Sequence, residues 1–172
     1  RNDDEAAKWL VKSAEKGIAQ AQFMLGERYR TGQGVEQNDD EAVAWYLKAA
    51  DQEHADAQMN LGLMYKEGKG VLQDDTEAAQ WFYRSAKQGM AAAQYHLGLM
   101  YHNGEGVSQD DTEAVNWYLK AAEQGNTDAQ FHLGLSYCFG EGVPLDYTEA
   151  VDWYKKAAEQ GNARAQYNLG LM

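Results

Sequence analysis

Apolar residues recur along this chain at spacings typical of α-helices. One stretch carries them at steps of three and four residues, which places them on a single helix face. In the copy that begins at Asp110 they are Ala114, Trp117, Tyr118, Ala121 and Ala122. After a short break, a second stretch has apolar residues at four-residue steps, namely Ala129, Leu133 and Tyr137. The pattern predicts a first helix that runs to about Gln124 and a second helix from about Thr127 to Phe139.

This pair of helices is repeated along the whole chain. Tryptophan marks each first helix at a step of 36 residues, at Trp9, Trp45, Trp81, Trp117 and Trp153. Glycine marks each second helix at the same step, at Gly26, Gly62, Gly98, Gly134 and Gly170. A fixed period of this length is typical of a solenoid, in which helix pairs bury their apolar faces by stacking. We predict a single repeat domain with copies at 1–36, 37–72, 73–108, 109–144 and 145–172, the last of them truncated.

Polar residues and glycines mark the helix ends. Each first helix is preceded by Asn or Asp, with Glu three residues later, which is the spacing of a capping box. The pairs are Asn2 and Glu5, Asn38 and Glu41, Asp74 and Glu77, Asp110 and Glu113, and Asp146 and Glu149. Four copies end this helix with a glycine that can adopt the left-handed conformation. The second copy has Glu53 at this position, and we expect no such helix end there. The glycine inside each second helix costs about 1 kcal/mol relative to alanine, so its recurrence predicts that another helix approaches closely there.

The repeated motif resembles that of the Sel-1-like repeat family. In the fourth copy its first half is carried by Ala114, Trp117, Tyr118, Lys120, Ala121, Ala122, Gln124, Gly125 and Asn126. Its second half is carried by Ala129, Gln130, Leu133, Gly134, Tyr137, Gly140, Gly142 and Val143. The resemblance covers almost the whole chain. It implies an all-α, right-handed α/α superhelix related to tetratricopeptide repeats, with the first helices lining the concave side.

The same resemblance implies a function in assembling proteins. Members of the family serve as scaffolds or adaptors of protein complexes, often in bacterial signalling, envelope or host-contact systems and in eukaryotic quality control. Some members carry paired cysteines in each repeat and have been linked to β-lactam binding. This chain departs from them because it has only Cys138. The disulfides of that subgroup, and its penicillin-related activity, are therefore not expected here.

The charge balance narrows the choice of partner. The formal net charge is −12, which argues against nucleic-acid binding and favours a partner with basic patches. A single cysteine excludes an intrachain disulfide and leaves the compartment undecided. The sequence has no run of about 18 apolar residues and no basic-then-apolar stretch near Arg1, so we expect neither a membrane span nor a secretory leader in it. Because the chain begins at Arg1 rather than Met and ends at Met172 within a repeat, we expect it to be processed or excised from a longer protein.

Three groups of residues could suggest chemistry, and each has a simpler explanation. The Gly-x-Gly-Val loops lack the strand and the Lys that a phosphate loop needs. Acidic pairs such as Asp110 and Asp111 lie at predicted helix starts, where carboxylates cap the helix. His96, His102, His132 and Cys138 resemble a metal set, but their spacing does not place them around one ion, and surface positions on the second helices are the simpler interpretation. We predict no catalytic residue, no cofactor and no metal, and therefore no enzyme.

The copies differ from one another at two columns of the first helix. The position before each tryptophan holds Lys8, Gln80, Asn116 and Asp152, among others, and the position two after it holds Val11, Leu47, Tyr83 and Leu119. By helical angle the second column lies where the apolar face meets the polar face, and a half-exposed apolar row of this kind suits an extended peptide or a partner helix. A contact between first helices of neighbouring repeats would explain the column equally well.

The predicted function is that of a non-enzymatic protein-interaction module. Leu47, Tyr83 and Leu119 would recognise the partner, and the polar column would set its register. One alternative is a structural segment of a longer array, whose uncapped ends associate end to end. The other is a β-lactam function like that of the cysteine-rich relatives, which the single cysteine disfavours.

Overall fold

The computed structural model describes the backbone of residues 2–172 and the side chains from residue 8 onward. Within that range the chain forms ten α-helices and no strand, and it divides between Gln88 and Gly89 into two compact units. The first unit contains α1 (Asn2–Glu15), α2 (Ala19–Thr31), α3 (Asp39–Ala50), α4 (Ala55–Glu67) and α5 (Asp75–Lys87). The second contains α6 (Ala91–Asn103), α7 (Asp111–Glu123), α8 (Thr127–Phe139), α9 (Tyr147–Glu159) and α10 (Ala163–Leu171). The predicted helix pairs are confirmed: odd numbers are first helices and even numbers are second helices.

The second helices α2, α4, α6 and α8 each pack most closely against the first helix that follows them. The repeated glycine explains why, because an aromatic ring of the following helix lies directly over it. A Cβ atom added to Gly62 would lie 2.6 Å from the ring of Phe82, and one added to Gly134 would lie 2.4 Å from the ring of Tyr154. Gly26 and Gly98 meet Tyr46 and Tyr118 in the same way. The predicted close approach of a second helix is therefore confirmed.

The tryptophan column is mostly part of the core. Trp81, Trp117 and Trp153 are each only 8 % exposed, and Trp45 is half-buried. Trp45, Trp81 and Trp153 pack against the apolar cluster of the copy that precedes them. Trp9 is an exception at 61 % exposed, so the prediction of a core position was wrong for this residue. The reason is that no earlier copy exists among the described residues to cover its indole.

The predicted Asn and Asp caps are confirmed in four copies. The side chains of Asn38, Asp74, Asp110 and Asp146 each accept a hydrogen bond from the backbone N–H three residues later, at 3.0 to 3.1 Å. The backbone N–H of each cap donates to a tyrosine carbonyl of the preceding second helix, such as Tyr29 for Asn38 at 2.9 Å. The cap proposed at Asn2 lies outside the described side chains. Helix starts are therefore fixed by the residues that the sequence indicated.

The end of α3 corrects one expectation. Glu53 adopts the left-handed conformation with φ of 60°, as Gly125 does with φ of 87° at the same place in another copy. A side chain in this conformation costs about 1–2 kcal/mol, which the surrounding contacts must offset. Glu53 receives a hydrogen bond from Gln58, and His54 then caps α4 through Ala57. The tight turn between paired helices is therefore kept even where glycine is absent.

Candidate interaction surfaces

The two columns of residues predicted to bind a partner on the first helices, together called the row, differ in their exposure. The polar column is exposed in both units, and it consists of Lys8, Gln80, Asn116 and Asp152. The aliphatic members are half-buried: Val11, Leu47 and Leu119 each pack against the apolar cluster of their own unit. Tyr83 differs from them because it is 44 % exposed. Three of the four apolar positions therefore contribute to the core, and Tyr83 offers the largest accessible surface.

Charged groups accompany the row. The Lys87 ammonium lies 5.7 Å from the ring centroid of Tyr83, and Lys155 forms an ion pair with Asp152 at 3.6 Å. Each tryptophan is covered by a cation three residues further along its helix, such as Lys48 over Trp45 at 3.7 Å from the ring centroid. A cation over an exposed aromatic face contributes about 0.5–1 kcal/mol. The first helices thus present aromatic rings that are already paired with cations.

The second helices carry a polar network in the first unit that the sequence analysis missed. The Glu27 carboxylate accepts hydrogen bonds from the Tyr46 hydroxyl, from the Asn60 amide at 2.6 Å and from the Arg30 guanidinium at 2.8 and 3.1 Å. Burial raises the pKa of Glu27, but these donors more than offset it, and the net pKa is lowered. A cleft of about 390 Å³ opens beside the network, between Arg30, Asn60 and Lys69.

In the second unit the corresponding place is aromatic. His132 lies with its ring centroid 5.6 Å from that of Tyr95, 5.3 Å from that of Tyr118 and 5.6 Å from that of Phe131. Burial lowers the pKa of His132 to about 4, and burial likewise raises the pKa of Tyr95 to about 12. The expectation that His132 is a surface residue was wrong, because these rings enclose much of it. A cleft of about 380 Å³ between α6, α8 and α10 includes His132 in its wall.

Buried glutamines form a second feature that the sequence analysis missed. In each unit the amide of one glutamine donates to the side-chain oxygen of another, 30 residues earlier, at 2.7 Å. The pairs are Gln52 with Gln22, Gln88 with Gln58, Gln124 with Gln94, and Gln160 with Gln130. Gln22, Gln58 and Gln130 each donate in turn to an alanine carbonyl at the end of the preceding helix. The constant Gln positions of the repeat were the available signal, since a buried amide must find partners.

The residues considered as metal ligands do not assemble into a site. No group of three or more His, Cys, Asp or Glu side chains able to hold an ion occurs in the described part of the chain. His102 is hydrogen-bonded through Nδ1 to Asp111 at 2.8 Å, and Cys138 is a half-buried free thiol.

The helices found in residues 2–172 are too short and too polar to cross a membrane.

Comparison with known proteins agrees with the repeat architecture. The Sel1 repeat profile matches residues 1–18, 19–54, 55–90, 91–126, 127–162 and 163–172, so that each full match contains a second helix and the first helix that follows it. No curated protein matches the chain.

Two solved structures are similar to the chain in both sequence and fold. A protective antigen of uropathogenic Escherichia coli strains, which displays an SLR fold, is 43% identical over 96% of this chain, with a TM-score of 0.94. A Sel1 repeat protein from Oxalobacter formigenes is 42% identical over 99% of the chain, with a TM-score of 0.89. The chain covers 35% of the first protein and 50% of the second.

A more distant structure shows the fold alone. Cysteine rich protein B of Helicobacter pylori is 23% identical over 82% of this chain and 99% of its own, with a TM-score of 0.61. The all-α fold of 36-residue helix pairs is therefore confirmed, and proteins built on it are generally non-catalytic scaffolds for protein interaction. The chain belongs to the Sel1 repeat family.

Proposed function

We propose that this chain is an interaction scaffold that binds a peptide or a partner helix along its first helices. The observation that carries the proposal is Tyr83, which is 44 % exposed on α5 although the neighbouring Trp81 is buried. Large aromatic side chains are enriched among residues that dominate binding energy. Lys8, Gln80, Asn116 and Asp152 are exposed on the same column of their own helices and would set the register of the partner.

The partner expected on this surface is basic. A chain with a formal net charge of −12 attracts positively charged surfaces over a range of about 10 Å at moderate salt. Such steering raises the association rate more than it tightens the final complex. Binding should therefore weaken as salt is added.

The experiment is a capture assay with the whole chain as bait and source lysate as prey. The Tyr83→Ala variant should lose specific partners, because its ring is exposed and its removal leaves the core untouched. Tyr147→Ala is the matched control, since Tyr147 is 57 % exposed at the start of α9 and lies outside the row. Equal capture by the parent and by Tyr83→Ala would contradict the proposal. Leu47 and Leu119 are unsuitable for this test because both pack against the core.

A second candidate function is that of a segment that stacks on further repeats. Gly170 has no atom within 4 Å of the place where its Cβ would be, whereas the equivalent glycines are covered by aromatic rings. Tyr167 and Leu171 on the same helix are 68 % and 69 % exposed. An uncovered apolar helix face of this kind is what an added repeat or a second molecule would bury. A mass that rises with protein concentration in sedimentation would favour this function, and a constant monomer mass would favour the adaptor.

A further inference from the structure

The fourth copy differs from the three earlier copies at the loop between α8 and α9. Phe139 is the last residue of α8, at a position that is polar in the earlier copies, as Thr31, Glu67 and Asn103. Leu145 follows in the loop, at a position that is glutamine in each of those copies. Two polar columns of the repeat are therefore apolar in the fourth copy.

Both side chains extend into solvent. Phe139 is 64 % exposed and Leu145 is 54 % exposed. The equivalent residues of the three earlier copies are exposed as well, although at least one complete copy follows each of them. The exposure therefore belongs to these two positions of the repeat. Tyr147 lies nearby but is not counted here, because its equivalents are half-buried, as Asp39, Asp75 and Asp111.

The loop brings the two apolar side chains together. Gly140 ends α8 in the left-handed conformation, and the loop then turns back along the helix. The N–H of Asp146 donates to the carbonyl of Tyr137 at 2.9 Å. A Cβ atom added to Gly140 would lie 3.4 Å from the Cβ of Leu145, so Leu145 lies beside the residue that follows Phe139. One exposed apolar patch results, here called the α8–α9 patch, and it consists of Phe139, Pro144 and Leu145.

The charges around the α8–α9 patch are negative. Glu141 lies in the loop, and Asp146 and Glu149 lie at the start of α9, all three of them exposed. No Lys or Arg occurs in the sequence between Lys120 and Lys155. The patch is therefore an apolar centre with an acidic rim.

The basic residues found near this place in other copies are missing or distant. The residue before Phe139 is Cys138, at a position that is basic in the earlier copies, as Arg30, Lys66 and His102. Arg164 of α10 lies in the wall of the cleft that also includes Asp128, near the start of α8. The patch lies at the other end of that helix. The fourth copy has thus gained apolar surface where it has lost a cation.

These features select the occupant. Contiguous exposed apolar side chains mark interaction sites, whereas isolated ones do not. If two copies of the chain met through this patch, their acidic rims would face each other, and like charges disfavour such a contact. An amphipathic helix with basic residues beside its apolar face matches both the apolar centre and the acidic rim.

We propose that the α8–α9 patch binds a basic amphipathic helix of a partner protein. An apolar side chain of that helix contacts Phe139 and Leu145, and its Lys or Arg residues face the acidic rim. The patch includes no residue of the row on the first helices. The proposed scaffold function can therefore fail without this proposal, and this proposal can fail without the scaffold function.

The experiment adds a synthetic helical peptide of leucine and lysine, with its leucines on one face, to the whole chain. The backbone amide resonances of residues 138–149 should shift saturably in NMR spectra, and the affinity should fall as salt is added. A peptide with glutamate in place of lysine should not bind, and neither should a peptide of the same composition in a non-amphipathic order. No response of residues 138–149, or equal responses to the three peptides, would overturn the proposal.

Variants of the chain make the test specific to the patch. Phe139→Asn combined with Leu145→Gln restores the residues of the third copy at two exposed positions, so this variant should fold normally. It should bind the peptide at least about tenfold more weakly. Leu72→Ser is the matched control, because Leu72 is an exposed leucine in the equivalent loop of the second copy, and its binding should equal that of the parent. A double variant that binds as the parent does would contradict the proposal.

Two further measurements separate this surface from the other proposals. Tyr83→Ala should bind the peptide as the parent does. If Tyr83→Ala lost the peptide and the double variant kept it, the peptide would belong to the row and this proposal would be wrong. Sedimentation of the chain without peptide tests a second copy as the occupant. If the parent associated with itself and the double variant did not, the proposed occupant would likewise be wrong.

Discussion

Tyr46 and Tyr118 occupy the same position in the two units, yet their surroundings have opposite hydrogen-bonding character. The Tyr46 hydroxyl donates to a carboxylate that three side chains hold, whereas the buried Tyr118 hydroxyl has no partner. Both rings nevertheless cover a glycine of the preceding helix in the same way, at Gly26 and Gly98. Residues that repeat therefore determine how the helices pack, and residues that vary determine which polar chemistry each unit offers.

Substitutions at the glycines that repeat in both units should have the largest effect on the free energy of unfolding. Gly62→Ala and Gly134→Ala should each destabilise the protein by about 1–3 kcal/mol, because the added methyl group would clash with Phe82 or Tyr154. The costs should be similar in the two units, as measured by urea unfolding. Gly170→Ala is the control, and it should be neutral or stabilising because no atom lies within 4 Å of its Cβ position. A large cost in only one unit would contradict a shared packing rule.

His132, which varies between the copies, should make the stability of the folded protein depend on pH. The pKa of His132 is about 4 in the folded protein and about 6.5 when unfolded, so the unfolded state binds the proton more tightly between these values. Stability should therefore fall as the pH decreases from about 6.5 towards 4. His132→Asn, which copies Asn60 of the first unit, should remove on the order of 1–2 kcal/mol of this loss at pH 5. Urea unfolding of both proteins at pH 7 and pH 5 measures the effect, and an unchanged pH dependence would exclude His132 as its source.

A substitution in the turn after α3 should give a smaller gain in stability. Glu53→Gly should stabilise the protein by about 1 kcal/mol, because glycine adopts a φ of 60° without steric cost. Part of the gain is offset by the lost hydrogen bond from Gln58. Gly125→Glu in the other unit makes the reverse change and should destabilise by a similar amount. Thermal unfolding of the two variants compares them, and shifts of the same sign would contradict this explanation.

The sequence predicted the fold well because the information lies in repeated residues. Helix ends followed from Asn, Asp and Gly residues that recur in most copies, and the close helix contacts at the buried glycines followed from the cost of glycine in a helix. The polar networks were not predictable in this way. Glu27 and His132 each occur in columns that vary between copies, and their partners come from helices that only folding brings together.

The interaction row was also only partly accessible to sequence reasoning. Helical angle placed Leu47, Tyr83 and Leu119 at the same boundary between apolar and polar faces. The structure separates them, because the two leucines pack against core clusters and the tyrosine extends into solvent. Their difference depends on the local neighbours of each helix, which periodicity does not describe. Their assignment to partner binding remains a prediction.

The most direct test of the comparison is the free energy of unfolding of Tyr46→Phe beside that of Tyr118→Phe. Each variant removes one hydroxyl group and leaves the ring over its glycine. Loss of a hydrogen bond to a charged group should cost Tyr46→Phe about 1.5–3 kcal/mol, whereas Tyr118→Phe should be neutral or slightly stabilising because its hydroxyl is buried without a partner. Equal losses in the two variants would contradict the claim that the units share their packing and differ in their polar chemistry.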